Sequence, residues 1–290
     1  MFNSGGIMVS IIRCTLFFFI ASVALAQTGG SRITGTVTDA SGALVRGASV
    51  TARNEASEPR VTILPATGNR YVISDFIGDH AGSGDGPQGF LVEFPNPGGE
   101  LRPHWHEVNQ YQVVVEGDCN VGAHRAAPIT VHYADAYTTY GPIIAGDEGF
   151  SFFTLRGEHT RGTYYMPQSK HLLPRKRGRE IVRHAADVLD GLAPDSCTVE
   201  PLIEPHADGL MTTLISLGPR STASAPSPNE GGGQYYLVAS GSVIVEEQEK
   251  GRLSLLFVSP NEKAPQIRAG PDGAVVVCMQ LPRKAAEEAT

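Results

Sequence analysis

Beyond residue 60 the chain alternates apolar and polar residues in short runs, with no sustained helical period. Residues 90–94, 110–116, 129–133 and 150–156 read as strands separated by glycine and proline turns. Residues 211–217, 234–239, 242–247, 253–258 and 274–281 read the same way. Many short strands at regular spacing predict a sandwich or a barrel, so the expected class is all-β. Residues 167–195, between the two groups, are polar and punctuated by proline, with a helix expected from Arg179 to Leu189.

The two groups repeat one another. Gln110-Tyr111-Gln112-Val113-Val114-Val115-Glu116-Gly117 matches Gln234-Tyr235-Tyr236-Leu237-Val238-Ala239-Ser240-Gly241 at an offset of 124, and residues 145–149 match 269–273 at the same offset. Upstream, Gly89-Phe90 and Gly98 match Gly209-Leu210 and Gly218 at an offset of 120, leaving four extra loop residues within 221–233. Near-constant register across three motifs points to a duplication and hence to two tandem barrels; two unrelated β-rich stretches are the alternative.

The N-terminus has a different pattern. After Arg13, residues 14–26 carry no charge and end in Ala24-Leu25-Ala26, the small-x-small site of a signal peptidase. The expected leader is residues 1–26, with the mature chain starting at Gln27 in a secreted or periplasmic location and no stable membrane span left after cleavage. An uncleaved anchor is the alternative, and Met8 is an equally good start. Cleavage removes Cys14 and leaves Cys119, Cys197 and Cys278, an odd number with no CxxC pair.

Composition narrows the partners. A net charge of −7 makes nucleic acid an unsuitable partner, because phosphate binding needs a basic surface. The basic run Lys170, Arg175, Lys176, Arg177, Arg179 and Arg183 reads either as an anion contact or as a solvated linker balancing an acidic barrel. No GxSxG, Walker loop, GxGxxG or HExxH occurs, which removes support for hydrolase, nucleotide-binding and zincin chemistry.

The candidate chemistry sits at Gly98-x5-His104-Trp105-His106-x3-Gln110-x6-Gly117. Residues i and i+2 of a strand share a face, so both imidazoles point into the barrel while Trp105 points away. Gln110 on the following strand returns a side-chain oxygen to the same point. Two imidazoles and an oxygen donor suit a divalent transition metal such as Fe, Mn, Ni or Zn. The alternative is a histidine pair that bonds only itself and water.

This spacing resembles the first cupin motif, G-x5-H-x-H-x3-E-x6-G, and the duplicated layout looks like a bicupin. The resemblance implies two double-stranded β-helix (jelly-roll) barrels: residues 59–166 with the candidate metal site, a linker at 167–195, and a degenerate barrel at 196–284. It also implies a metal-dependent, quercetin-dioxygenase-like oxidoreductase acting on a small organic molecule. Three departures matter. Gln110 stands where the motif has Glu. The usual fourth histidine falls near Tyr140, which would ligate as a phenolate or orient substrate, and the nearest histidine is His132, which would ligate if its strand faces inward at the right height. Pro228 and Glu230 lie opposite His104 and His106, so the second copy is expected to be structural or dimer-forming, a homodimer through the barrels being one arrangement. The departures motivate the alternative of a non-catalytic barrel that binds a small ligand. Residues 33–57 resemble the opening of a carboxypeptidase-regulatory-like sandwich, giving a fragment at 27–58 that is partly disordered and poorly packed; a remnant fused to a once-cytoplasmic protein is the other reading.

Overall fold

Along strand after strand both side-chain parities are buried, which a sheet with one wet face does not produce. The structure, a computed structural model, describes residues 51–53, 60–63, 70–81, 86–175, 178–185, 193, 195–245 and 247–284. The expected leader and most of the 27–58 fragment lie outside the described residues.

The first half holds strands β1 (Thr51–Arg53), β2 (Arg60–Ile63), β3 (Arg70–Ile77), β4 (Gln88–Phe94), β5 (Glu100–Leu101) and β6 (His104–Trp105). It continues with β7 (Gln110–Val121), β8 (His124–Ala126), β9 (Thr130–Ala134), β10 (Ile143–Arg156), β11 (Tyr164–Tyr165) and β12 (Glu180–His184). The second half holds β13 (Cys197–Ile203), β14 (Met211–Leu217), β15 (Thr222–Ser224), β16 (Gln234–Val245), β17 (Gln248–Gly251), β18 (Leu255–Val258) and β19 (Gln266–Gln280). Among the described residues the only helical pieces are the 3-10 turns Lys170–Leu172 and Pro228–Glu230, and no helix is long and apolar enough to cross a membrane.

The order in the first sheet is β12-β9-β7-β10-β4-β3-β2 and in the second β1-β18-β16-β19-β14-β13, while β6 and β11 pair separately. The same pattern, β9-β7-β10-β4-β3 against β18-β16-β19-β14-β13, recurs in both, so the fold is all-β with two jelly-roll barrels, as the repeat predicts. Period-two alternation sorts each strand between two cores. On β10, Phe150 and Phe152 fill the first barrel with Phe90, Val92 and Phe94. Phe153 and Leu155, on the opposite face, join a core shared between the barrels with Tyr111, Tyr133, Tyr235 and Val277. The second barrel is filled by Tyr236, Val238, Val276 and Cys278.

The shared core has a local two-fold character. The Tyr111 hydroxyl donates toward the carbonyl oxygens of Met211 (2.9 Å) and Gln280 (3.0 Å), and the Tyr235 hydroxyl toward those of Gln88 (2.8 Å) and Arg156 (2.6 Å). The face that one barrel offers for pairing is thus covered by the other barrel of the same chain.

Three expectations are corrected. Glu180–His184 is a strand, not the start of a helix, and it pairs with β9 of the first sheet, Ile181 opposite Tyr133. Its Ile-Val pair meets an open sheet edge, and long-range pairing overrides any local helical preference. Arg179, before it, bonds Asp135 of the first half and Asp208 of the second, so this part of 167–195 is fastened rather than a free linker. Secondly, Thr51–Arg53 from the 27–58 fragment pairs with β18 of the second sheet, Thr51 opposite Phe257. Each half is therefore preceded by a strand that completes the other half's sheet. Thirdly, strand register shifts the upstream repeat: Gly89 faces Leu155 while Thr212 faces Met279, so Gly89 corresponds to Thr212, not Gly209. Likewise Glu100 faces Ile144 and Thr222 faces Arg268. The matched glycines, Gly89 within a strand and the others at turns, recur without structural equivalence.

Candidate functional site

Strand β6 turns His104 into the first barrel and Trp105 out of it. The indole stacks on Tyr164 with ring centroids 4.1 Å apart, and its N–H donates to Ser169 Oγ at 3.1 Å. Reciprocal backbone bonds of 3.1 Å pair His104 with Tyr140, which brings the phenol ring to 4.5 Å from the imidazole. His106 follows, its ring 5.3 Å from that of His104.

Both histidines are oriented by backbone. His104 Nδ1 lies 2.7 Å from the Arg102 carbonyl oxygen and His106 Nδ1 2.8 Å from that of Gly162. A carbonyl only accepts, so in each ring Nδ1 carries the hydrogen and Nε2 keeps its lone pair. Burial pulls His104 down to about 4, with the charges of Arg156 and His132 acting in the same direction against the Arg102 hydrogen bond. Burial, Arg156 and His104 hold His106 well below its ordinary range. Both are neutral at pH 7. Burial raises the Tyr140 phenol, so Tyr140 suits orienting a ligand better than supplying an anionic oxygen.

Gln110 is engaged on both sides. Its Nε2 donates to the Tyr140 hydroxyl, and its Oε1 accepts from Arg156 Nε at 3.0 Å. The structure therefore brings His104, His106, Gln110 and Tyr140 together, but turns the Gln110 oxygen toward Arg156. His132 stands behind Tyr140, ring centroids 4.8 Å apart, with Nδ1 on Gln112 Oε1 (2.8 Å) and Nε2 facing Glu180 Oε1 (3.4 Å). No histidine, cysteine, aspartate or glutamate among the described residues joins the His104–His106 pair closely enough to share an ion. The group that does meet that criterion, Asp75, Asp79 and His80, encloses the Arg60 guanidinium, which bonds all three.

Arg156 is the residue that sequence reasoning missed. It ends strand β10 on the inward parity of Phe150, Phe152 and Thr154, and is 6% exposed. Burial pushes its guanidinium down only to about 10, so it remains a cation. The available signal was an arginine at the position where the second copy has Gln280, opposite Gln234 as Arg156 is opposite Gln110.

A cavity of about 250 Å³ opens beside these groups, walled by Phe90, Phe152 and Tyr165 and reached by His104, His106 and Arg156. In the second barrel the matching positions are tied together by amides: the Tyr236 hydroxyl donates to Gln234, Gln234 Nε2 to Gln280 Oε1 (2.8 Å), and Gln280 Nε2 to the Gly209 carbonyl (2.6 Å). Where the first copy has β6, the second has the turn Pro228–Glu230.

The donor set can be tested against a metal. Neutral imidazoles with Nδ1–H fixed to backbone and Nε2 turned inward have the form of divalent-ion ligands. The pair fits a late transition ion. The oxygen donors beside it are neutral and Arg156 adds like charge, so affinity should be lower than with a carboxylate in the set.

No protein-family model matches the chain, and no curated protein does. Solved structures do match. A candidate dioxygenase from Nostoc punctiforme aligns over 89% of this chain and 97% of its own, with TM-score 0.56 and 12% identity. The chain has a bicupin fold. The bacterial pirin YhhW of Escherichia coli, solved with nickel(II), aligns over 81% of this bicupin and 100% of its own chain (TM-score 0.50, 11% identity). Procruciferin, an 11S globulin of Brassica napus, aligns over 80% and 85% (TM-score 0.50, 11% identity). A dioxygenase candidate, a pirin and an 11S globulin share one architecture, so the fold alone does not choose a chemistry.

Proposed function

We propose that this bicupin acts on a small organic molecule held in its first barrel, as a metal-dependent oxidoreductase of the dioxygenase kind. The observation that carries the reading is the matched tautomer of His104 and His106, whose Nδ1–H groups are tied to carbonyls while both Nε2 lone pairs face inward. These two residues would hold Fe, Mn, Ni or Zn, with Gln110 as the neutral oxygen donor. Such an ion would supply a Lewis acid and, in the case of Fe, Mn or Ni, a redox centre. Tyr140, bonded to Gln110 beside His104, holds that amide in place, and the aromatic wall of Phe90, Phe152 and Tyr165 takes the apolar body of a bound molecule and excludes water. The fold shared with the Nostoc punctiforme candidate dioxygenase supports the reaction class.

A specific observation favours a second reading. The Gln110 oxygen is committed to Arg156, an arrangement suited to a non-catalytic barrel that binds a small polar ligand. Elemental analysis of protein purified after growth with Fe, Mn, Ni and Zn separates the two. The enzyme reading expects a single bound ion that disappears in His106→Ala and persists in His206→Ala. Protein free of metal under all four conditions refutes it and leaves the ligand-binding reading.

A further inference from the structure

We propose that the ligand of the first barrel is a small organic carboxylate with an apolar body, anchored by Arg156. The inference rests on the reading that this cavity takes a small molecule, and it does not depend on the metal.

Arg156 has no carboxylate partner among the described residues. Its Nε donates to Gln110 Oε1 at 3.0 Å, its Nη2 lies 3.4 Å from both ring nitrogens of His106, and Nη1 bonds nothing among the described residues. The contact of Nη2 with His106 Nδ1 is no hydrogen bond, because that nitrogen already donates to Gly162. A buried guanidinium so placed keeps N–H donors on its Nη1–Nη2 edge, the edge that grips a carboxylate through two parallel bonds.

The walls carry the same sign. Arg156 and Arg161 line the cavity, and among the described residues no aspartate or glutamate does, in a chain where 30 acidic residues outnumber 23 basic ones. Asp75 and Asp79, near the rim residue His80, are bonded to Arg60. A low-dielectric cleft lined by one sign of charge concentrates the opposite ion. The remaining wall is apolar, and the Arg156 guanidinium carbon sits 5.3 Å from the centroid of Phe90, which leaves a slot for the body of an acid.

The second copy supplies an internal control. Its equivalent position is Gln280, a neutral amide that is satisfied by hydrogen bonds to Gln234 and the Gly209 carbonyl. The architecture folds with a neutral amide there, so packing does not require the cation. Burying an unpaired charge costs several kcal/mol in order of magnitude, a cost that a bound anion offsets.

Benzoate and benzamide, nearly identical in shape and differing by one charge, are suitable probes. Trp105, the chain's single tryptophan, lies between His104 and His106 with its indole turned out of the barrel, so its fluorescence reports binding through the backbone it shares with them. The expected result is saturable binding of benzoate about tenfold or more tighter than benzamide, the scale of a charge-assisted hydrogen bond. In Arg156→Gln, which installs the residue of the second copy, that preference should vanish while benzamide binding persists. Equal affinity of the parent for the two probes overturns the carboxylate assignment and leaves the small-molecule reading standing, and it does so even if the variant does not fold. Unchanged benzoate preference in a folded Arg156→Gln overturns the role of Arg156. Failure of the parent to bind either probe, by fluorescence or by thermal stabilisation, refutes the cavity reading itself.

Discussion

The neutrality of the buried histidines has a thermodynamic consequence that can be measured without knowing the ligand. His104 has an ordinary value of 6.5 and is pulled to about 4 in the folded protein, chiefly by burial and then by Arg156. Between those values the unfolded chain binds a proton that the folded chain refuses, so stability must fall as pH falls. Above 6.5 both states are neutral at this residue, and its contribution is flat. Integrating the difference from pH 7.5 to pH 5 gives a loss of about 2 kcal/mol from His104 alone, approaching about 3 kcal/mol near pH 4. His106 shifts in the same direction and adds to the loss. Urea unfolding followed by circular dichroism, on chelator-treated protein so that no ion competes with the proton, reads this term as the difference between the parent and His104→Gln. Because the barrels share one core, a single transition is expected. The parent should lose about 2 kcal/mol more than the variant between pH 7.5 and pH 5. Parallel stability curves, within about 0.5 kcal/mol, would show that His104 titrates normally, and the argument for a dry, cation-flanked pocket would fail.

Two structural predictions concern the pairing of the halves and the close strand approach within each half. Tyr235→Phe removes the hydroxyl that donates to the carbonyls of Gln88 and Arg156, and should cost about 1–3 kcal/mol, read as a fall of several degrees in Tm by calorimetry; no change would mean that these carbonyls find other donors. Gly117 has φ of +63° at the end of the motif, and a Cβ there would collide with the Gly149 carbonyl oxygen, as one at Gly241 (φ +66°) would with Gly273. Gly117→Ala and Gly241→Ala should each sharply reduce soluble yield and Tm, and a stable, soluble Gly117→Ala protein would contradict the close strand approach.

What the sequence makes legible follows from the range of each interaction. Strand parity is local, so the inward pair His104 and His106, the outward Trp105 and the return of Gln110 can be read from spacing, whereas Tyr140 is placed near them only by the family resemblance. Reciprocal strand pairing is not local. Nothing in Glu180–His184 names β9 as its partner, and nothing in Thr51–Arg53 names β18, so one stretch reads as a linker and the other as a loose fragment. The exact 124-residue offset holds where β7 and β10 pair with each other, as β16 and β19 do, and fails upstream where only glycines were matched. Arg156 escaped because a motif search asks for ligands, whereas the informative fact is a charge on an inward parity. His132 illustrates the converse limit: it does face inward, but its height in the barrel, set by pairing with Gln112, places it behind Tyr140.

Comparison of the two copies bears on why the first retains so many polar groups. Both barrels have the same strand order and tyrosines with equivalent interface bonds, so they meet nearly the same folding requirement. The second satisfies its interior with Tyr236, Gln234 and Gln280, a neutral chain in which each amide finds a partner. The first instead keeps two neutral imidazoles with inward lone pairs, a guanidinium with no carboxylate partner among the described residues, and a cavity beside them. Each of these choices lowers stability relative to the amide solution that the same chain already contains. Local violations of packing and polar satisfaction that the architecture does not need are the physical mark of a working site. That contrast is the ground for proposing the first barrel, rather than the second, as the place of chemistry or recognition.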